Sequence, residues 1–203
     1  MPSDLQITNI KDQANANSAI TIGSDGQITV NQNNPTITLG SNATGFTGIK
    51  NADQWRLTTN HTGAQGDLTS NFEQTDDLDS GQIGSAMTQA SGIFTFPDTG
   101  KWLIHVIGQW FSSNGGITYA GIHIRCTHNA GSGDTYDTKT INYANMDSTS
   151  YYQSESSCFL FDVTDVTTHK VKFYAEKSVG DATLQGGTDV NLTTFTFLRL
   201  GDT

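Results

Sequence analysis

Residues that favour long helices are scarce in this chain. Of its 203 residues only three are Glu and eleven are Leu, whereas 21 are Gly and 30 are Thr. Glu and Leu are good helix formers, while Thr fits strands and Gly weakens helices. The composition therefore predicts an all-β protein, and its length suffices for one sizeable domain with a small additional element.

Cysteine is also rare, since Cys126 and Cys158 are the two present. Their spacing matches no zinc or redox motif. They lie on separate predicted strands, so two buried thiols and a cross-strand disulfide both remain open, and the disulfide would require an oxidising compartment. The chain is long enough to form a core without either a disulfide or a metal.

Long apolar runs and positive charge are lacking as well. No apolar run at the N-terminus resembles a signal peptide and none reaches about 18 residues, so we expect a protein that is soluble when made and does not insert into membranes. Lys and Arg number 10 against 20 Asp and Glu, and the net charge of -10 counts against binding nucleic acid through its phosphates. Asp occurs mainly in turn-like contexts such as 24–26, which indicates solvated loops.

The stretch 91–112 alternates like a β-strand but carries apolar side chains on both faces. One sheet packed on one core needs only one apolar face. The additional face therefore predicts a second partner surface. The first face comprises Trp102, Ile104, Val106 and Trp110, and the second comprises Leu103, Ile107 and Phe111.

A series of short strands separated by Gly, Asn, Asp and Ser clusters follows from Trp55 onward. Because no helical stretch separates them, they predict an antiparallel β-sandwich of the jelly-roll type. The predicted strands span residues 54–59, 68–74, 84–89, 92–97, 101–111, 117–126, 137–143, 151–161, 169–177 and 190–200.

The first fifty residues have no aromatic residue before Phe46 and contain a short repeat. Residues 19–25 recur as residues 36–42, each a short strand ending in a Gly-Ser-Asp or Gly-Ser-Asn turn. Such strands bury little alone, so we predict that residues 1–50 form an attachment segment and residues 51–203 the jelly-roll domain, with a disordered leader as the alternative. The candidate attachment residues are Ile7, Ile10, Ile20, Ile22, Ile28, Val30, Ile37 and Leu39.

Residues 92–102, GIFTFPDTGKW, resemble the G-x-F-x-x-P-x-x-G-x-Y segment of the globular head of complement C-one-q, which shares its jelly roll with tumour necrosis factor. The runs 184–187 and 194–200 are similar to that family's closing glycine turn and last strand, and the resemblance covers residues 68–200. It implies a homotrimer built on an aromatic-rich β surface. The residues predicted for the trimer interface are Trp102, Leu103, Ile107, Trp110, Phe111, Phe195 and Phe197.

The N-terminal runs 4–11 and 24–30 are similar to the leaders of virion surface proteins of tailed bacteriophages, particularly marine ones. This resemblance implies a protein made in the host cytoplasm and located on the virion surface, with a tail or major capsid protein as partner. With no signal peptide or collagen-like stalk recognised, a phage part is favoured over a secreted animal-type head.

Motifs that carry catalysis or bind metals are not found. The five His residues show no HExxH or similar spacing, and no Gly-x-Ser-x-Gly elbow occurs. Asp76, Asp77 and Asp79 are weak cation candidates, because their loop lacks the bidentate Glu of an EF-hand and a solvated acidic loop is favoured. We therefore expect no enzymatic activity, no cofactor and no bound metal.

Tyr119, Tyr136, Tyr151 and Tyr152 stand among Asn and Ser residues, a composition typical of surfaces that contact carbohydrate or protein, although each alone could be an ordinary strand-surface tyrosine. The predicted function is that of a non-enzymatic bacteriophage virion surface protein. The trimeric jelly roll would act as a short tail-fibre or appendage tip that contacts a host-surface glycan or protein. The alternative is a capsid decoration (cement) protein fastened to the shell by its N-terminal segment.

Overall fold

The structure, a computed structural model, describes residues 48–77, 81–147, 151–178 and 181–203, together with the backbone of residues 9–11, 18–22 and 28–30. Its contacts divide the chain into two units, Met1–Gly45 and Phe46–Thr203, which we describe separately. The regular structure of the described residues is entirely β, which confirms the predicted class. None of the described residues form a helix long and apolar enough to cross a membrane.

The strands in chain order are β1 (Asn9–Lys11), β2 (Ser18–Ile22), β3 (Ile28–Val30), β4 (Ala52–Leu57), β5 (Gly66–Asp67), β6 (Phe72–Gln74), β7 (Thr88–Ala90), β8 (Ile93–Thr95), β9 (Gly100–Ser112), β10 (Ile117–Thr127), β11 (Asp137–Thr140), β12 (Ala144–Met146), β13 (Tyr151–Val163), β14 (Lys170–Lys177), β15 (Ala182–Leu184) and β16 (Thr194–Gly201).

In the first unit, β1, β2 and β3 form an antiparallel sheet in chain order. The register places Ile20 opposite both Ile10 and Val30, and Ile22 opposite Ile28. The predicted second copy of the repeat, with Ile37 and Leu39, and the candidate residue Ile7 lie outside the described residues.

The second unit consists of two antiparallel sheets, as predicted for a sandwich. The front sheet has the order β13-β9-β16-β4-β6, with β15 paired to β9. The back sheet has the order β11-β10-β14-β8-β7, with β12 paired to β10 and β5 paired to β14. Since many neighbours in these sheets, such as β9 and β13 or β4 and β16, are distant in sequence, the chain crosses repeatedly between the sheets.

Strands β9 and β13 are the longest and pair along their whole length, from Gly100 opposite Val163 to Ser112 opposite Tyr151. The alternation predicted for β9 is confirmed, because one set of residues is buried and the next set lies on the opposite face. The buried set is Trp102, Ile104, Val106 and Trp110, each without exposed surface.

Aromatic rings from both sheets meet in the core. Phe173 of the back sheet packs against Phe195 of the front sheet, with ring centroids 4.4 Å apart, and Phe94 packs against Phe197 at 5.2 Å. Phe96 contacts Trp102 at 5.2 Å. Burial of such large rings on both inner faces is the main stabilising contribution available to a chain of this composition.

The turn between β7 and β8 depends on Gly92, whose φ is +78°. A Cβ at this position would overlap the backbone carbonyl of Leu68. Glycine is therefore required both for its backbone conformation and for the close approach of the neighbouring chain. This explains the first glycine of the segment that resembles the C-one-q head.

Three predicted strands begin four residues before the observed ones, and the first of them, 68–74, corresponds to β6, which begins at Phe72. The prediction 84–89 corresponds to β7, which begins only at Thr88, and the prediction 190–200 corresponds to β16, which begins at Thr194. The short strands β5, β12 and β15 were not predicted, because two or three residues carry too little alternation to stand out from a loop.

Candidate functional surfaces

The outer face of the front sheet is an exposed apolar surface. The register sets Leu103 opposite Leu160 and Phe111 opposite Tyr152, and opposed residues of an antiparallel ladder lie on the same side. Leu160 is 55% exposed and Tyr152 is 58% exposed. Several large apolar side chains exposed on one face of a sheet indicate an interaction site. We call it the front-sheet face, and its apolar members are Leu103, Ile107, Phe111, Tyr152, Leu160 and Leu198.

Two pairs of polar side chains on the front-sheet face are partnered within the chain. His105 Nε2 lies 2.7 Å from Ser156 Oγ, and Lys101 forms an ion pair with Asp162 at the end of the face. Apolar surface interrupted by satisfied polar groups is the usual composition of a protein–protein interface. The geometry of the face therefore suits contact with another protein chain.

Four residues predicted for the trimer interface lie elsewhere. Trp102, Trp110, Phe195 and Phe197 are fully buried between the two sheets of one chain, so a second copy could not contact them. The prediction is wrong for these four, because it assigned residues of both strand faces to one surface. Leu103, Ile107 and Phe111 lie on the front-sheet face, and their role in an interface stays a prediction.

Both cysteines are free thiols. Cys126 is buried on β10 of the back sheet, whereas Cys158 is exposed on β13 of the front sheet. Burial raises the pKa of the Cys126 thiol to about 12, which makes it unreactive. The cross-strand disulfide left open by the sequence is not formed.

The outer face of the back sheet contains an open pocket with a hydrogen-bonded network on one side. His123 Nε2 lies 2.7 Å from Glu176 Oε2, and His123 Nδ1 lies 3.0 Å from Thr138 Oγ1. The Tyr143 hydroxyl donates to the same Glu176 oxygen over 2.6 Å. This hydrogen bond lowers the pKa of Glu176 and raises that of Tyr143 to about 12, so that a carboxylate and a neutral phenol face each other at neutral pH. The pocket is lined by His123, Arg125, Thr138, Tyr174 and Glu176.

Arg125 and its partners form the other side of this back-sheet pocket. Its Nη1 donates to Asp67 over 2.9 Å and its Nη2 donates to the Tyr136 carbonyl over 3.0 Å. Asp67 also accepts from Lys172 Nζ at 2.6 Å, and this ammonium lies 4.3 Å from the centroid of the Tyr136 ring. The side chains around the pocket are thus held in place by one another.

The four tyrosines predicted to contact a receptor do not form one site. Tyr119 lies on β10 with its ring 5.2 Å from that of Tyr143, and Tyr136 borders the opposite side of the back-sheet pocket. Tyr151 and Tyr152 lie on β13 of the other sheet, where the Tyr152 ring packs 4.7 Å from Phe111. The structure therefore brings two of the four near the pocket and places Tyr152 on the front-sheet face.

Hydrogen bonds link Thr138, His123 and Glu176 in series, in the same order as the nucleophilic hydroxyl, the base and the orienting acid of a hydrolase. Hydrolysis by such a group would also need backbone N–H donors for an oxyanion and exclusion of water. Strand β10 is hydrogen-bonded on both sides, to β14 and to β11 or β12, and the pocket is open to solvent. The arrangement suits binding better than catalysis.

The acidic loop considered for a cation is occupied by an arginine. Arg56, only 2% exposed, forms ion pairs with Glu73 at 3.0 Å, Asp76 at 2.5 Å and Asp77 at 2.9 Å. The loop is therefore not simply solvated, since its carboxylates neutralise a buried guanidinium. Asp79 lies outside the described residues, among which no group of three or more potential metal ligands occurs.

Comparisons with solved structures identify the class of fold. The chain is similar to the Eiger tumour necrosis factor of S. frugiperda, with a TM-score of 0.53 and 13% identity over 75% of this chain and 93% of that one. It is similar to murine APRIL with a TM-score of 0.52 and 12% identity over 74% and 98%. No family model matches the sequence, and no curated protein matches it at a significant level. The second unit thus has the jelly-roll fold of tumour necrosis factor, as the sequence resemblance implied.

None of the five residues that line the back-sheet pocket was predicted as a site residue from the sequence. A signal was present, because His123 and Arg125 alternate on one predicted strand and Tyr174 and Glu176 alternate on another. Alternation places each pair on one face of its strand. That the two strands are neighbours, with His123 opposite Tyr174, is a property of the fold.

Proposed function

We propose that this protein is a non-enzymatic surface protein of a bacteriophage particle, assembled as a homotrimer, that contacts the host surface as a short tail-fibre or appendage tip. The observation that carries the assembly is the front-sheet face, where Ile107, Tyr152 and Leu160 are exposed in the single chain. Covering such a surface with copies of itself stabilises an oligomer.

We favour three copies because the fold is that of tumour necrosis factor. The resemblance of residues 68–200 to the globular head of complement C-one-q, which shares this fold, implies a trimer. A closed ring of three also buries the same surface on every copy and leaves no free end for further growth. The outer face of the back sheet belongs to the opposite side of the sandwich and stays available for other contacts.

The location on a phage particle is supported by the resemblance of residues 4–11 and 24–30 to virion leaders. The sheet of β1, β2 and β3 belongs to a compact unit of its own, which suits a segment that fastens the trimer to other virion proteins. The same arrangement would serve a capsid decoration protein, with the major capsid protein as partner.

Copy number distinguishes the two locations. Quantitative mass spectrometry of purified particles should give tens of copies or fewer for a tail-fibre or appendage tip. A number matching the threefold positions of the shell would instead establish decoration, and absence from the particles would contradict both. The attachment role has its own control: if deletion of residues 1–50 left incorporation unchanged, that segment would not be the fastening.

A further inference from the structure

We propose that the back-sheet pocket binds one neutral sugar ring of a surface glycan. This inference rests on the proposed function, since it specifies which host-surface chemistry the protein recognises and where. It differs from the sequence-based prediction in its residues, because the tyrosine pair 151–152 plays no part.

The shape of the pocket sets the size of the ligand. Its volume is about 270 Å³ and it opens to solvent. Pockets for drug-sized molecules and cofactors occupy roughly 300–1,000 Å³ and enclose most of the ligand. A smaller, open depression suits a single ring that remains attached to a longer chain outside.

The polar atoms around the pocket form a donor and acceptor set for hydroxyl groups. Glu176 Oε2 accepts from His123 and Tyr143, whereas Glu176 Oε1 has no hydrogen-bond partner among the described residues. The exposed Thr138 hydroxyl on β11 also lines the pocket and lies 3.0 Å from His123 Nδ1. A carboxylate oxygen and a hydroxyl facing one cavity can bind neighbouring hydroxyls of a sugar, each of which donates and accepts.

An aromatic surface completes the site. The Tyr174 ring lies 5.2 Å from the His123 ring, measured between centroids, and 5.4 Å from the guanidinium carbon of Arg125. These contacts fix the ring in one orientation, so little side-chain entropy is lost when a ligand binds. The apolar C–H groups of a sugar can pack on such a ring while its hydroxyls reach the polar groups.

Charge indicates a neutral ligand. The cations Arg125 and Lys172 share Asp67, and Glu176 is the remaining carboxylate, so the charges around the pocket nearly balance. The whole chain carries a net charge of -10, which repels anions. A sialic acid, a uronic acid or a phosphate would therefore bind less well than a neutral hexose.

The test is a nuclear magnetic resonance titration of the full-length protein with methyl glucoside, methyl galactoside, methyl mannoside and N-acetylglucosamine. At least one should shift amide signals of β10, β11 and β14 with a dissociation constant in the millimolar range. A glycan that carries several such sugars would bind the three pockets of a trimer more strongly through avidity. N-acetylneuraminic acid and inorganic phosphate should shift them much less.

Two variants locate the binding. Glu176→Gln replaces an acceptor that serves two donors, and Thr138→Ala removes the facing hydroxyl, so each should weaken sugar binding about tenfold or more. Asp137→Asn and Thr118→Ala, which change exposed residues on β11 and β10 outside the pocket lining, should leave it unchanged.

The proposal is overturned if none of the four sugars shifts these amides, if the anions bind equally well, or if both pocket variants bind like the wild type. The titration uses the isolated protein and does not depend on its place in a particle. A negative titration thus removes the sugar site alone, whereas absence of the chain from purified particles removes the proposed function alone.

Discussion

Glu155 is an ionisable residue in the interior of the sandwich. It is 5% exposed, and neither carboxylate oxygen has a hydrogen-bond partner among the described residues. Its side chain occupies the space beside Gly108, where a Cβ would overlap Oε1. Burial raises the pKa of Glu155 to about 8, although the nearby backbone of Ile122 and indole of Trp110 favour the charged form.

A prediction at the residue scale is that stability falls as pH rises from about 5 to about 8. The unfolded chain releases the Glu155 proton near pH 4.5, whereas the folded chain keeps it until about pH 8. Within this window the folded state binds more protons, so the free energy of unfolding decreases by up to about 1.4 kcal/mol per pH unit and levels off above it.

Glu155→Gln checks this prediction, because the amide stays neutral. Urea unfolding of the variant should show a weaker decrease over the same range and greater stability than the wild type at pH 8. Asp189→Asn, an exposed carboxylate in the loop before β16, should retain the wild-type profile. Parallel profiles for Glu155→Gln and the wild type would show that Glu155 is already ionised at neutral pH.

Strands β4 and β6 and the loop that follows them are held together by Arg56. The guanidinium on β4 reaches Glu73 on β6 and the loop residues Asp76 and Asp77. Because Arg56 is buried while the carboxylates remain partly exposed, its charge depends on these partners for compensation. The cluster fastens the edge of the front sheet.

A prediction at the scale of this element is that Arg56→Met lowers the free energy of unfolding by about 2–4 kcal/mol. The loss comes from removing the buried cation that Glu73, Asp76 and Asp77 share, and it is moderated because the carboxylates keep contact with water. Lys139→Met, which removes an exposed ion pair with Asp137, should cost no more than about 1 kcal/mol. Equal losses in urea unfolding would contradict the special role of Arg56.

The two sides of the sandwich have different chemistry at the scale of the whole molecule. The front-sheet face is apolar and uncovered in one chain, whereas the outer face of the back sheet carries the polar pocket around His123 and Glu176. If the first face is covered by other copies, the second remains free on every copy. Self-association and ligand contact would then use opposite surfaces.

A prediction at this scale is that the wild type has three times the 21.8 kDa of one chain, with an oligomer content that depends on concentration. Leu160→Asp should give the mass of a single chain, because it places an unpaired charge within the front-sheet face. Val190→Asp, at an equally exposed residue in the loop before β16, should leave the mass unchanged.

Multi-angle light scattering gives these masses directly. A stable wild-type monomer at micromolar concentration would contradict the trimer. If the Leu160→Asp variant kept the wild-type mass and circular dichroism, the interface would not lie on the front-sheet face.

The sequence alone determined the class of fold and the two-faced character of β9. Both follow from local properties, since strand propensity, turn residues and alternation act over a few neighbouring positions. The Gly92 turn and the Phe195 strand were recognisable for the same reason. The local pattern separated the set that contains Trp102 and Trp110 from the set that contains Leu103, but it did not decide which of the two faces the core.

Only the tertiary structure decided which strands are neighbours, and the surfaces depend on that. His123 meets Glu176 and Thr138 because β10 lies between β14 and β11, and Arg56 meets the acidic loop because β4 pairs with β6. Such contacts join residues far apart in the sequence, such as His123 and Glu176, which are 53 positions apart, and no local periodicity encodes them. Strands pair within each sheet in the order that buries the whole core. This order brings polar residues that are dispersed in the sequence together around one pocket.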